Sequence, residues 1–232
     1  MNPRLFAAME REDIPGLKRL INARSNLEAR NDSGETPLIW AIKNGSPHVL
    51  QTLIDEKADV TAKDARHGKS ALIWAVSTNC VDTIRILLDA DKNIEAIDDN
   101  GCTALLVAVA SGNIDSVRLL VEAKANIEAR RPDGQNALLL SAAYWNTSIL
   151  KILLDAKVNV EQRDDVASHY TALLVASSKG NTDAVNLLLG AKADMEAVGA
   201  DGMTALTCAA RMGHTHVISL LMHVTAARAA SY

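Results

Sequence analysis

The chain has 232 residues, of which 48% are hydrophobic and 22% charged, a composition typical of a folded protein rather than a disordered one. Its net charge of −4 argues against the basic surface that sequence-independent nucleic-acid binding requires. Three distant cysteines without a CxxC pair and the lack of any apolar run near the ~20 residues of a membrane span predict an intracellular protein, cytoplasmic or nuclear, with no membrane span.

Taken in chain order, the predicted elements repeat one pattern. Six similar segments start at residues 34, 68, 101, 134, 169 and 202, with intervals of 34, 33, 33, 35 and 33. They read GETPLIWA, GKSALIWA, GCTALLVA, GQNALLLS, HYTALLVA and GMTALTCA. One period earlier, Leu5 and Ala8 keep the same spacing. The sequence therefore contains about seven units, the first of them truncated.

Each unit predicts a helix, a turn, a second helix and a short hairpin loop. The first helix begins after a residue type that caps helix N-termini: Thr36, Ser70, Thr103, Asn136, Thr171 and Thr204. A leucine two residues later and a small residue three positions beyond it share one helix face. The second helix contains apolar runs such as 49–54 and 117–121. An extended stretch with Asp/Gly turn chemistry follows, as in 126–134.

One such unit cannot bury both of its helices alone, so neighbouring units must stack. On these repeats the chain resembles the ankyrin repeat family, with Gly34–Leu38 matching the family signature best. The resemblance implies an all-α ankyrin-repeat α-solenoid of about seven helix–turn–helix units, with short hairpin loops. We expect a single domain, 1–232, divided into an N-terminal cap 1–30, units 31–63, 64–97, 98–130, 131–163 and 164–198, and a C-terminal cap 199–232 that ends in a helical tail.

The units depart from the family pattern in three columns, the first of which is the family proline, kept as Pro37 and replaced by alanine in the other five units. The family histidine after the motif leucine is replaced by Ile39, Ile73, Leu106, Leu139, Leu174 or Thr207, so apolar packing should replace its hydrogen bonds. The family glycine after the second helix is replaced by Lys57, Asp91, Lys124, Lys157 or Lys192. A lysine in a left-handed conformation would cost roughly 1 kcal/mol relative to glycine.

Catalytic chemistry is not indicated. The chain lacks GxGxxG, GxxxxGK[ST], HExxH and GxSxG motifs. A metal site at His214, His216 and His223 is disfavoured against solvated or packed histidines. The carboxylates Glu28, Glu95, Glu128, Glu161 and Glu196 recur in one repeat column, so we interpret them as a solvated ladder beside Arg30, Lys63, Arg130 and Arg163. We predict no catalytic residue, no metal, no cofactor and no enzyme activity.

The resemblance implies that inner helices and hairpin tips bind a protein or peptide on a concave face. Carried over column by column, the candidates are Trp40, Lys43, Trp74, Val107, Leu140, Tyr144, Val175, Glu35, Lys69, Gln135, Tyr170 and Arg211. Trp and Tyr are preferred interface anchors. For Trp40 and Trp74 two interpretations stay open: partial exposure in the groove, or burial in a greasier core. Burial is an equally open alternative for Val107, Leu140 and Val175.

The leading hypothesis is therefore a monomeric protein-interaction module that acts as a scaffold, an inhibitor or a targeting unit. Three alternatives are the recognition part of a larger enzyme, a host-directed effector, and a self-assembling structural element. An oligomer in solution would indicate the last of these.

Overall fold

The computed structural model describes residues 3–23, 25–90, 93–164 and 168–229. These residues form fourteen α-helices and no named strand, so the all-α prediction is confirmed. By its internal contacts the chain divides into two compact units, Met1–Ala125 and Asn126–Tyr232. The helices follow one another in pairs, each made of a first helix that begins at the repeat motif and a second helix.

The first unit contains four helix pairs. Its first helices are α1 (Pro3–Glu10), α3 (Pro37–Lys43), α5 (Ala71–Ser77) and α7 (Ala104–Ala110). Its second helices are α2 (Ile14–Asn22), α4 (Pro47–Asp55), α6 (Val81–Ala90) and α8 (Ile114–Glu122). α5 packs between α3 and α7, and α2, α4, α6 and α8 pack in sequence, so the unit has two helical layers.

The second unit contains three helix pairs. Its first helices are α9 (Ala137–Ala143), α11 (Ala172–Lys179) and α13 (Ala205–Met212). Its second helices are α10 (Thr147–Asp155), α12 (Thr182–Gly190) and α14 (Thr215–Ala229). α11 packs between α9 and α13, and α12 between α10 and α14. α14 is 15 residues long against nine in α10 and α12, as the predicted helical tail requires.

The predicted N-caps explain where the first helices begin. The side chains of all six predicted capping residues accept a hydrogen bond from the backbone N–H three residues later. Pro37 occupies the first turn of α3, where its missing N–H costs nothing. Each cap thus satisfies a donor that the helix itself leaves without a partner.

The core is built from the repeated leucine columns. The motif leucines from Leu5 to Leu173 are at most 3% exposed, whereas Leu206 in α13 is 37% exposed. Ile39, Ile73, Leu106, Leu139 and Leu174 are equally buried, which confirms apolar packing in the column where the resemblance implied histidine. Thr207 departs from this column because its hydroxyl closes a capping box with Thr204.

In the described residues, the hairpin loops form single β-bridges rather than named strands. They contain isolated antiparallel bridges, of which Lys63–Ser70, Arg130–Asn136 and Arg163–Thr171 are described. The recurring glutamates join consecutive hairpins: Glu28, Glu128 and Glu161 accept hydrogen bonds from the backbone N–H groups of Asp59, Asn159 and Asp194 at 2.8–2.9 Å. These contacts are called inter-repeat rungs below.

Three basic residues of one repeat column, Lys63, Arg130 and Arg163, also bond to backbone atoms of the following hairpin. Lys63 donates to the carbonyl oxygen of Ile97 at 2.6 Å, and Arg130 to that of Arg163 at 2.6 Å. Arg163 donates to Val198 at 2.6 Å in the same way. The ladder expected from the sequence is therefore held by side-chain bonds to backbone groups of the next repeat.

Three recurring sets of backbone positions adopt a left-handed conformation, one of them at the hairpin tips, as in Gly34 and Gly101. Lys57, Lys124, Lys157 and Lys192, which follow second helices, have φ values of 66–67°, as expected where the family pattern has glycine. Asp91, in the same column, lies outside the described residues. Another set lies in the turn between the two helices of a pair and consists of Glu12, Gly45, Asn79, Gly112, Trp145, Gly180 and Gly213.

Candidate functional site

The twelve predicted binding residues fall into three classes of solvent exposure. Lys43, Tyr144 and Arg211 are exposed. Six are half-buried, namely Trp40, Lys69, Trp74, Val107, Gln135 and Val175. Glu35, Leu140 and Tyr170 are buried. The question left open for the two tryptophans is answered in favour of partial exposure.

Two of the three buried residues, Glu35 and Tyr170, are corrections to the predicted surface, whereas for Leu140 burial was one of the two interpretations left open. Leu140 is 1% exposed in α9, where all residues from Ala137 to Ala142 are buried. Glu35 is buried because it turns back to contact Asn31 and Lys43 of its own repeat. Tyr170 packs inside the second unit, as described below. None of the three offers a side chain to a partner in this structure.

The half-exposed indole of Trp74 is the centre of a polar and cationic cluster. Its Nε1 donates a 2.6 Å hydrogen bond to Oδ2 of Asp64. The ammonium groups of Lys43 and Lys69 lie 4.4 and 4.7 Å from the ring centroid, within cation–π distance. The imidazole of His67 makes an edge contact with the ring at 6.0 Å. The ring is therefore held from several directions.

Two buried carboxylates support this cluster. Burial raises the pKa of Glu35, but hydrogen bonds from Lys43 and Asn31 outweigh burial and leave the pKa below its ordinary value. Burial likewise raises the pKa of Asp64, and hydrogen bonds from the backbone of His67 and from the Trp74 indole more than offset it. Both groups stay ionised at neutral pH and fix Lys43 and Trp74 in place.

Trp40 lies beside a small pocket at the start of the first unit. Its ring meets Phe6 of α1 edge-to-face, with centroids 6.4 Å apart. The two rings line a cavity of about 270 Å³ together with Glu10, Asp32 and other residues of α1 and the first hairpin. Trp40 and Trp74 come from adjacent first helices, α3 and α5, which pack against each other.

The side chain of Tyr170 is packed in the core of the second unit. Its hydroxyl donates a 2.7 Å hydrogen bond to Asp201 and accepts one from the thiol of Cys208 at 3.6 Å. Burial, with these two hydrogen bonds, raises the pKa of Tyr170, so the hydroxyl stays neutral and remains a donor. Its ring lies against Gly199, where an added Cβ would come within 2.4 Å of it.

In the described part of the chain, the side chains that commonly bind metals do not cluster. No group of three or more His, Cys, Asp and Glu residues there could hold a metal ion. His214 donates from Nε2 to the carbonyl oxygen of Ser178 at 3.0 Å, a bond that joins two repeats. The thiols Cys80, Cys102 and Cys208 are not in disulfides.

Sequence reasoning missed Asp64 and Phe6, both of which support the half-exposed tryptophans. Asp64 had one sequence signal, because it lies in the loop where the repeat interval lengthens from 33 to 34 residues. Its side chain accepts from the backbone of Arg66 and His67 and thereby closes that longer loop. Phe6, the single phenylalanine of the chain, had no signal besides its position next to Leu5.

The repeats match a known family model along almost the whole chain. The model for ankyrin repeats, three copies long, matches residues 5–98, 64–131, 91–164 and 138–229. The chain belongs to the ankyrin repeat family. Ankyrin repeat domains are in general protein–protein interaction modules and are typically non-catalytic.

Solved ankyrin repeat structures are similar to this chain. The ankyrin repeat domain of Bcl-3, a unique member of the IkappaB protein family, is 29% identical with a TM-score of 0.86, covering 94% of this chain and 97% of Bcl-3's. An ankyrin repeat domain from Acinetobacter baumannii AYE is 27% identical with a TM-score of 0.74, covering 80% of this chain and 96% of the other. No curated protein sequence matches. Of the helices described, none has the length and apolar character to cross a bilayer.

Proposed function

We propose that this ankyrin repeat chain binds a partner protein or peptide through the surface formed by its first helices and hairpin tips. It would act by occupying the surface of its partner, as a scaffold, an inhibitor or a targeting unit. The observation that carries the proposal is the pair of half-exposed tryptophans, Trp40 and Trp74, on adjacent helices. They are two of only three tryptophans in the chain.

The contacts of the two indoles support a binding role because they reduce the entropy lost on association. Trp40 rests against Phe6, and Trp74 is held by Asp64 and two lysines. A side chain that is already ordered loses little conformational freedom when a partner covers it. Large, rigid aromatic side chains of this kind contribute most of the binding free energy in many interfaces.

The test is affinity capture from a lysate of the source cells with the native chain and with Trp40→Ala/Trp74→Ala. We expect the double substitution to remove partners that the native chain retains. Met222→Ala is the matched control, because Met222 is 58% exposed on the second helix α14 and is not one of the predicted binding residues. Partners captured equally by the native chain and a folded double variant would refute the proposal.

Because Trp74→Ala also removes the bond to Asp64, a second variant keeps the test decisive. Lys69→Glu leaves both indoles in place and reverses one charge beside the Trp74 ring. Circular dichroism and urea unfolding establish that each variant is folded. We expect the charge reversal to weaken capture of the same partners, and no change with Lys69→Glu would argue against this surface.

Gln135, Tyr144, Val175 and Arg211 of the second unit are accessible to a partner to different degrees and extend the proposal to that unit. We also propose that residues 1–232 act as one ankyrin repeat domain, and that the protein is a cytoplasmic or nuclear monomer. A single cooperative unfolding transition, light scattering and imaging of a tagged chain would check these three points.

A further inference from the structure

The two half-exposed tryptophans occupy the same column of successive repeats, but different charged side chains surround them. The ring of Trp74 is covered by two lysines, which belong to two columns of the repeat pattern. Lys43 lies five positions after the motif leucine of the preceding repeat, and its ammonium group is 4.4 Å from the ring centroid. Lys69 lies three positions before the motif leucine of the same repeat as Trp74, and its ammonium group is 4.7 Å from the centroid. Trp74 thus obtains its cation–π partners from within the chain.

The same two columns carry glutamates around Trp40. Glu10 stands in the column of Lys43, and Glu35 stands in the column of Lys69. Glu35 is neutralised inside the chain, because it is hydrogen-bonded to Lys43. Among the described residues, no ammonium or guanidinium group lies within cation–π distance of the Trp40 ring. Trp40 therefore offers an aromatic face like that of Trp74 without a cationic partner from the described chain.

The pocket beside Trp40 contains two carboxylates and no cationic side chain in its lining. One side of the cavity of about 270 Å³ is formed by residues on one face of α1, namely Pro3, Phe6, Ala7 and Glu10, and the other by residues 31–33 and Trp40. The carboxylates of Glu10 and Asp32 are both exposed. Neither has an ion pair or a side-chain hydrogen bond among the described residues. The lining of this Trp40 pocket therefore carries two negative charges.

The cationic side chains nearest to these residues in the sequence make other contacts. Arg4 and Arg11 of α1 line a different pocket. Arg30 donates to a backbone carbonyl oxygen of its own hairpin at 2.7 Å. Lys43 pairs with Glu35. None of the four cations lines the Trp40 pocket, so the two negative charges in its lining are not neutralised there.

A basic side chain from a partner complements the Trp40 pocket in charge and in shape. Its cation is attracted by both carboxylates and can lie over the Trp40 ring as Lys43 lies over that of Trp74. Its aliphatic stem can pack against the rings of Trp40 and Phe6. An acidic side chain would be repelled by the two carboxylates, and an apolar one would leave them without a partner. The charges in the lining therefore select a cation.

We propose that the Trp40 pocket binds a lysine or arginine side chain of a partner protein. The cation lies against the Trp40 ring, and Glu10 and Asp32 pair with it. This proposal rests on the proposed protein-binding function and names the chemistry of the partner at one position of that surface. Trp74 does not bind the cation, because its own ring is already covered by lysines.

The test uses a random-peptide display library that is selected on the native chain after depletion on Glu10→Gln/Asp32→Asn, called the carboxylate variant. Both substitutions remove a charge and nearly preserve the size of the side chain. The matched control is Asp89→Asn/Glu122→Gln, which makes the same two chemical changes at exposed positions of the second helices α6 and α8. Urea unfolding establishes that each variant is folded.

We expect the enriched peptides to share a lysine or an arginine. Synthetic copies should bind the native chain and the control variant alike, and the carboxylate variant at least about fivefold more weakly, as measured by fluorescence anisotropy. Replacing the basic residue of the peptide by glutamine should weaken binding to the native chain by a similar factor. Added salt should also weaken binding, because the two carboxylates are exposed.

Glu10→Lys gives an independent check on the cation–π contact. It places an ammonium group in the column from which Lys43 covers Trp74, so the chain itself should cover the Trp40 ring and exclude the peptide. Four outcomes would overturn the inference: no peptide enriched after depletion, enriched peptides without a shared basic residue, equal affinity for the native chain and the carboxylate variant, or undiminished affinity for Glu10→Lys.

A parallel selection without the depletion step separates this inference from the proposed function. Peptides that lose affinity for Trp40→Ala/Trp74→Ala but keep it for the carboxylate variant would support the proposed function and refute the cation pocket. Peptides weakened by both variants would support both proposals. Peptides that keep full affinity for the tryptophan variant would refute the proposed function, and with it the contact between Trp40 and the cation.

Discussion

The indole Nε1 of Trp74 donates to the Asp64 carboxylate across a 2.6 Å hydrogen bond, which ties a half-exposed aromatic ring to a buried charge in the preceding hairpin. The same carboxylate accepts from the backbone N–H groups of Arg66 and His67 at 2.8 and 2.6 Å. One side chain therefore closes the hairpin and orients the ring that we propose as a binding anchor.

Asp64→Asn is expected to lower the free energy of unfolding at pH 7 by about 1.5–3 kcal/mol, the usual effect of losing hydrogen bonds to a charged group. The pKa of Asp64 is lowered in the folded state, so its stabilisation is present above the unfolded value of about 3.9 and is lost as the pH falls through the folded value. Urea unfolding at pH 7, 5 and 3 should therefore show the two proteins converging in acid. Asp155→Asn, at an exposed site, should change little at each pH.

Lys124→Gly is expected to stabilise the chain by about 1 kcal/mol, because glycine adopts φ = 67° without the steric cost that lysine bears. Lys124→Ala removes the same charge and keeps a Cβ, so its unfolding midpoint should stay near that of the native chain. Thermal and urea unfolding measure both. Equal stabilisation by alanine and glycine would show that the charge, rather than the backbone, is responsible.

Glu161→Ala is expected to cost about 1 kcal/mol, since it removes the acceptor for the backbone N–H of Asp194 in the next hairpin. Hydrogen exchange at the Asp194 amide should quicken, and Glu161→Gln should restore much of the protection. Glu196→Ala is the matched control, because Glu196 occupies the same repeat column without a side-chain partner among the described residues. Unchanged exchange at Asp194 would contradict the role of this rung.

Two glycine substitutions should act in opposite directions. Gly199→Ala places a Cβ within 2.4 Å of the Tyr170 ring, which cannot easily move because its hydroxyl is bonded to Asp201, so a loss of about 1–3 kcal/mol is expected. Gly190→Ala meets no atom within 4 Å and lies at the end of α12, so a gain of up to about 1 kcal/mol is expected. Urea unfolding of both variants is the measurement, and a neutral Gly199→Ala would show that Tyr170 adapts.

The fold was predictable because its determinants are local and repeated. A cap such as Thr36 or Asn136 acts within three residues, and the period of the motif leucines predicts their burial, which holds from Leu5 to Leu173 and fails at Leu206. Exposure within a column was harder to predict, since Val107 is half-buried and Leu140 is buried at equivalent positions. That difference depends on the surroundings of each helix, which the repeat period does not encode.

The candidate site was predicted in part for the same reason. Tyr170 was expected at an exposed tip, but its burial depends on Gly199 and Asp201, about thirty residues further along the chain. Glu35 was expected to face a partner, but it pairs with Lys43, another candidate from the same repeat. The sequence placed these residues in the correct columns without showing which of them would contact one another.

The inter-repeat rungs have a consequence for how such a chain can change in evolution. In each rung the donor is a backbone N–H, which every residue except proline possesses, and the acceptor is a glutamate carried by the preceding repeat. The hydrogen bond therefore requires no particular side chain in the repeat that follows, only a residue other than proline at the donor position. A gene segment encoding a repeat that carries the glutamate could be duplicated or moved, and any following repeat would still supply the donor, whereas the unit with Thr61 in this column lacks the acceptor.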